Sequence, residues 1–106
     1  ARCTALTQTA SRYRLYALAN TTPAKPGLVR IDEEGAAIEV EVWEMPQRQF
    51  GRLMAQVGAP LGIGSLELTD GRWVKGFICE PIAVVGAVDI THHGGWRRYL
   101  AANRPA

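Results

Sequence analysis

Apolar and polar side chains alternate with a period of two across residues 12–19 (RYRLYALA), where Tyr13, Leu15 and Ala17 oppose Arg14, Tyr16 and Leu18. That period predicts a strand, and the turn-forming Asn20-Thr21-Thr22-Pro23 cluster ends it. Pro23 and Pro26 stiffen the loop that follows, and Gly27 opens a short strand over 28–31, closed by the acidic turn 32–35. The pattern reads as a hairpin whose return strand, 36–44, sets Ile38, Val40 and Val42 against Glu39, Glu41 and Trp43. Phe50, Leu53, Met54 and Val57 then recur at three-to-four spacing after Pro46, which predicts an amphipathic helix over 46–57 with proline in its first position. Gly58, Pro60, Gly62 and Gly64 indicate a loop, and 65–68 with 73–79 form a hairpin around Thr69-Asp70-Gly71, a positive-φ turn. Pro81 interrupts, 82–88 reads as a further strand or extended edge, and a C-terminal helix starts over 95–100. Within 1–10 only Leu6 is large and apolar, so no strand is expected there.

Short strands in hairpins, without alternation of strand and helix, predict an α+β domain: a small mixed, mainly antiparallel β-barrel with one central and one C-terminal helix. A chain of 106 residues is one domain's length. Its folded surface should be roughly 5,800 Å² against about 16,800 Å² unfolded, enough burial for one core. Val, Ile, Leu and Phe supply 25 residues, which excludes the disordered class. The longest apolar stretch, 82–88, is far short of the ~20 residues a membrane helix needs. Twelve basic against ten acidic residues leave a net charge of +2, too mild for a nucleic-acid partner. The charges are segregated, bases before residue 31 and acids from 32 to 44, so strands of opposite sign should pair. Cys3 and Cys79 lie far apart with no metal-binding spacing, which reads as two free thiols in a cytoplasmic protein. Residues 1–10 carry neither a signal pattern nor an initiating Met, which implies that upstream residues have been removed or go unobserved.

Few residues suggest chemistry. His92 and His93 are adjacent and should diverge, which disfavours joint metal chelation and fits a polar turn before the last helix. No serine or cysteine sits in a nucleophile motif, and Gly62-Ile63-Gly64 lacks the context of a phosphate loop. Nothing in the sequence asks for a metal or another cofactor. Glu39 and Glu41 share one strand face, where like charges in a pocket favour general-acid chemistry; the alternative is a solvated face paired with Arg12 or Arg14. Lys25, between two prolines, can present a fixed cation to a carboxylate ligand, and Tyr16 can add a hydroxyl.

The runs YRLYAL (13–18), KPGLVR (25–30), GAAIEVEVWEMP (35–46), APLGIGSLEL (59–68), DGRWVKGFICE (70–80) and DITHHGGWRRYL (89–100), in this order and with matching gaps, resemble the C-terminal domain of allophanate hydrolase over residues 10–102. The resemblance implies a γ-glutamyl cyclotransferase-like fold, a carboxylated urea-derived substrate, N-carboxycarbamate, and assistance to its decarboxylation. It also implies an amidase-signature domain of the same enzyme as partner, and a homodimer. Such a decarboxylation needs a cation for the carboxylate, a donor for the departing nitrogen and a water-poor pocket, and the residues of this sequence that can fill those roles are Glu39 and Glu41 as catalytic residues with Tyr16, Lys25 and Gly27 binding substrate. Family domains begin with an apolar strand ending in a Gly-Ala-His-Leu-like turn, and this sequence starts after it. Cyclotransferases use a glutamate after the central helix, whereas 57–64 holds no acid here, which argues against that activity. A non-catalytic scaffold and a stand-alone cyclotransferase-like enzyme are the rival readings.

Overall fold

The computed structural model describes residues 1–19 and 24–103. In chain order it forms β1 (Arg2–Gln8), β2 (Tyr13–Ala17), β3 (Pro26–Arg30), β4 (Glu39–Glu44), α1 (Gln47–Gln56), β5 (Leu61–Glu67), β6 (Trp73–Cys79), a 3₁₀ turn (Pro81–Val84), β7 (Val88–Asp89), a second 3₁₀ turn (Thr91–His93) and α2 (Trp96–Ala102). It is a small α+β domain whose strands all pair antiparallel, in three ladders: β1–β4, β3–β2–β7 and β5–β6.

A closed barrel does not form among the described residues, because the ladders meet at corners rather than along continuous hydrogen-bonded edges. Thr9 makes the main corner. Its N–H donates to the Ile38 carbonyl at 2.9 Å, its hydroxyl accepts the Ile38 N–H at 2.9 Å, and the same hydroxyl donates to the Ala10 carbonyl at 2.9 Å. The neighbouring Ala10 N–H reaches the Glu67 carbonyl, and the Thr69 N–H returns to the Gln8 carbonyl, both at 2.9 Å. A buried threonine thus joins the β1–β4 ladder to the β5–β6 hairpin with its N–H and both roles of its hydroxyl satisfied. A second corner pairs Tyr13 with Ala36.

The core follows from the alternation on β2. Tyr13, Leu15 and Ala17 point inward and pack with Leu28, Ile38, Leu66 and Ile90, with Val74, Ile78, Trp96 and Tyr99 closing over them. Burying each of the large aliphatic members stabilises the fold by about 1.5–3 kcal/mol.

Four expectations need correction. Residues 2–8 do form a strand despite their polarity, because β1 is an exposed ribbon strand held by its ladder to β4, from Arg2↔Glu44 to Gln8↔Glu39, rather than by burial. Consequently 28–31 and 36–44 are not a hairpin: β3 pairs with β2, β4 with β1, and the acidic turn between them is pinned when Arg14 donates to the Glu34 carbonyl. Gly62 and Gly64 belong to β5 rather than a loop, since a Cβ on Gly64 would lie 2.6 Å from Ile78 Cδ1 and only glycine lets the facing strand approach. Finally, 82–88 is not a strand: its first three residues complete the 3₁₀ turn, and Gly86 at φ 79° leaves just Val88–Asp89 to pair with β2. The Asp70-Gly71 turn is as expected, with Gly71 at φ 91°. α1 also runs close to its expected span, with Pro46 as the capping residue and Phe50 N–H donating to the Pro46 carbonyl at 3.0 Å. No residue of α1 is buried.

Candidate functional site

The predicted substrate-binding residues gather where β2 and β3 leave their ladder. Tyr16, half-buried, stands opposite Gly27 on β3 and opposite Asp89 on β7. Gly27 is buried, and a Cβ there would lie 2.6 Å from Leu18 Cδ2 and 2.9 Å from Cys79 Sγ, so β6 reaches β3 only because the residue is glycine. Lys25 is exposed, and its carbonyl accepts the Leu18 N–H at 2.9 Å. Pro23 and the rest of the loop from 20 lie outside the described residues.

Glu39 and Glu41 are handled by a different element. Consecutive arginines of α2 take one each: Arg98 Nη2 lies 3.3 Å from Glu39 and Arg97 Nη1 lies 3.2 Å from Glu41. Trp43 Nε1–H donates to Glu41 at 3.0 Å, and Glu39 N–H donates to the Gly94 carbonyl at 2.7 Å, which fixes the turn before α2. Both carboxylates thus carry their own guanidinium, which offsets their mutual repulsion. Arg12 and Arg14 pair instead with Glu67 at 3.6 Å and Asp89 at 2.7 Å. The contacts of the two glutamates run to α2, those of Tyr16 and Gly27 to β7, Leu18 and β6; the structure brings each group together separately.

Beside Tyr16 lies a polar network that the sequence reading passed over. Arg14 Nε–H donates to Asp89 Oδ2 at 2.7 Å, Thr91 N–H donates to Asp89 Oδ1 at 2.9 Å, and the Thr91 hydroxyl accepts the Leu15 N–H at 2.9 Å. Partial burial opposes ionisation of Asp89, yet the hydrogen bonds from Arg14 and Thr91 outweigh it and hold the carboxyl below its ordinary range. The Arg14 guanidinium is correspondingly more basic than usual, first through its hydrogen bond to Asp89. The signal was present in Asp89-Ile90-Thr91, an Asp accepting from the backbone two residues on. The network offers a fixed ion pair next to a phenol, suited to orienting a small polar molecule.

The remaining candidates are placed as follows. His92 and His93 do not diverge: the 3₁₀ turn brings their rings to 4.3 Å, and His93 meets Tyr99 edge-on at 5.3 Å. Gly94, at φ 78°, and Gly95 then lead into α2, the expected polar turn. Among the described residues no group of three His, Cys, Asp or Glu converges as a metal site. Cys3 is exposed and Cys79 buried, both free, and burial raises the Cys79 pKa, so it is held as the thiol and not as a nucleophilic thiolate. Two surface clefts are lined by neither Tyr16, Lys25 and Gly27 nor Glu39 and Glu41: one of about 330 Å³ beside Arg2, Glu44 and Pro46, the other of about 430 Å³ between β3 and β6, with Cys79 in its lining. No helix among the described residues is long and apolar enough to cross a membrane.

This chain matches the family model described as allophanate hydrolase C-terminal domain over residues 1–101. It belongs to that family. A urea amidolyase from Lachancea kluyveri is 48% identical over 97 residues, which cover 88% of this chain and 5% of that protein. The solved structure of Kluyveromyces lactis allophanate hydrolase superposes with a TM-score of 0.91 at 44% identity, over 95% of this chain and 17% of that one. A uropathogenic E. coli-specific protein superposes with a TM-score of 0.85 at 32% identity, over 94% of this chain and 76% of that one. The family fold therefore occurs both as a small part of long enzymes and as most of a short protein, and this chain spans only a small fraction of the yeast relatives.

Proposed function

We propose that this domain, with a γ-glutamyl cyclotransferase-like fold, assists the decarboxylation of N-carboxycarbamate in urea degradation. The observation that carries this reading is the family match across nearly the whole chain, together with relatives named allophanate hydrolase and urea amidolyase. In this reading an amidase-signature domain of the same enzyme hydrolyses allophanate and passes the product on. The N–C bond to one carboxylate breaks, its electron pair stays on nitrogen, nitrogen takes a proton and carbon dioxide leaves.

Three demands follow: a cation to orient a carboxylate, a donor near the nitrogen, and close backbone approach without a side chain. Lys25, Tyr16 and Gly27 meet them in one region at the β2–β3 end, with the Arg14–Asp89 pair fixing the polar floor. Glu39 and Glu41 enter as proton carriers only if Arg97 and Arg98 release them; otherwise they anchor α2.

The test is to generate N-carboxycarbamate with a separate amidase and follow carbon dioxide release with and without this chain. Acceleration that Lys25→Ala and Tyr16→Phe abolish supports the reading; an unchanged rate refutes it for this chain. A scaffold role, at a dimer or an amidase interface, is favoured by one further observation. The accessible surface is 7241 Å², well above the roughly 5,800 Å² expected of a self-contained chain of this length. Leu6 and Trp43 on the β1–β4 ribbon and Met54 on α1 are among the uncovered apolar side chains.

A further inference from the structure

The cleft between β3 and β6 is not absorbed by the reading above, and its residues are different ones. β3 and β6 lie side by side without sharing a ladder, which leaves an opening of about 430 Å³. Tyr13, Leu28 and Ile78 form its apolar floor, and Arg30, Ser65 and Trp73 its polar margin. Arg30 is set over the Trp73 ring, its guanidinium carbon 5.4 Å from the ring centroid, so the fork is oriented before any ligand arrives. Lys75 Nζ donates to Ser65 Oγ at 3.1 Å, which brings an ammonium to the same margin.

The charge pattern makes this margin unusual. Arg2, Arg12, Arg14 and Arg72 each have a carboxylate within 4 Å, whereas among the described residues Arg30 and Lys75 have none. The nearest acids in sequence on that hairpin are already engaged, Glu67 by Arg12 and Asp70 by Arg72. One cation without counter-charge, Arg30, therefore lines this apolar-floored opening, and a second, Lys75, is held beside it through Ser65. Guanidinium presents paired donors matched to a carboxylate, and the ammonium adds a second attraction.

We infer that the β3–β6 cleft is a binding site for a small organic carboxylate with a flat or apolar body, the carboxylate taken by Arg30 and Lys75 and the body laid against Leu28 and Ile78. The site is independent of the decarboxylation reading, since it uses neither Tyr16, Lys25 nor the glutamates.

Benzoate is a suitable probe, with benzamide as its neutral counterpart, each titrated into isotope-labelled chain and followed by amide NMR and tryptophan fluorescence. Saturable shifts are expected at residues 28–30, 65 and 73–75, with benzamide at least about tenfold weaker, equivalent to 1.4 kcal/mol. Arg30→Gln and Lys75→Met should each weaken benzoate several-fold, while Arg52→Gln on α1 leaves it unchanged. Equal binding of benzamide, shifts that follow Arg52 rather than Arg30, or insensitivity to both cleft variants would overturn the assignment.

Discussion

Thr9→Val is the most informative single change. Valine keeps the shape of threonine and removes only the hydroxyl, which accepts the Ile38 N–H and donates to the Ala10 carbonyl, both at 2.9 Å. Thr9 is 0% exposed and Ile38 2%, so no water can replace the lost partner. An N–H orphaned in that setting costs about 1–3 kcal/mol. We expect about 2 kcal/mol, which for a domain of this size lowers the Tm by roughly 8–16 °C. Thr7 lies on the same strand, half-buried, and its hydroxyl makes no hydrogen bond among the described residues, so Thr7→Val should stay within about 0.5 kcal/mol of the parent. The assay is urea unfolding by tryptophan fluorescence, with the denaturant slope unchanged, and amide exchange at Ile38 accelerated. If Thr9→Val is as stable as Thr7→Val, the corner is not what couples the ladders.

Other expectations are quicker to check. Gly27→Ala should cost about 1–3 kcal/mol by overpacking against Leu18 and Cys79, and adding Cys79→Ala should recover part of it in the same urea series. Asp89 has a folded-state pKa below its unfolded value, so its contribution is complete above the unfolded pKa and is lost as pH falls through the folded one. Asp89→Asn should therefore cost about 1 kcal/mol at neutral pH, a figure discounted for partial exposure, and the gap should close below about pH 4. Arg97→Ala with Arg98→Ala should cost less than about 1 kcal/mol, falling further in high salt, because those pairs are largely solvent-exposed. A loss above about 2 kcal/mol would mean that α2 is held mainly by these two charges. A thiol reagent should modify one cysteine, Cys3, at once and Cys79 only on unfolding.

What the sequence disclosed, and what it hid, divides along one physical line. The alternation over 13–17, the spacing of Phe50, Leu53 and Met54, and the Asp70-Gly71 turn are local signals, and each element was found where they pointed. Strand pairing is non-local: the polar stretch 2–8 becomes a strand only because 39–44 lies 30 or more residues away to receive it. The same limit hid the partners of Glu39 and Glu41, since a rule about neighbouring strands cannot see a helix folding back from residues 97 and 98. Asp89 was overlooked because a single acid in an apolar run carries no motif until Arg14 is beside it. By contrast, the pairing of Tyr16 with Gly27 was nearly legible, as both sit in segments close together in sequence with Pro23 and Pro26 between or beside them.

The dependence of Leu15 on Thr91 bears on how the chain is made. The amide of Leu15 finds its acceptor, and its carbonyl one of its donors, only in residues 90 and 91, with 76 positions separating it from Thr91. At about 5–20 residues per second, translation leaves the middle strand of its ladder half-bonded for roughly 4–15 s. During that interval its sheet edge is open to foreign strands, so the emergence of residues 90 and 91, rather than collapse of the early segments, should set when this domain becomes safe from aggregation.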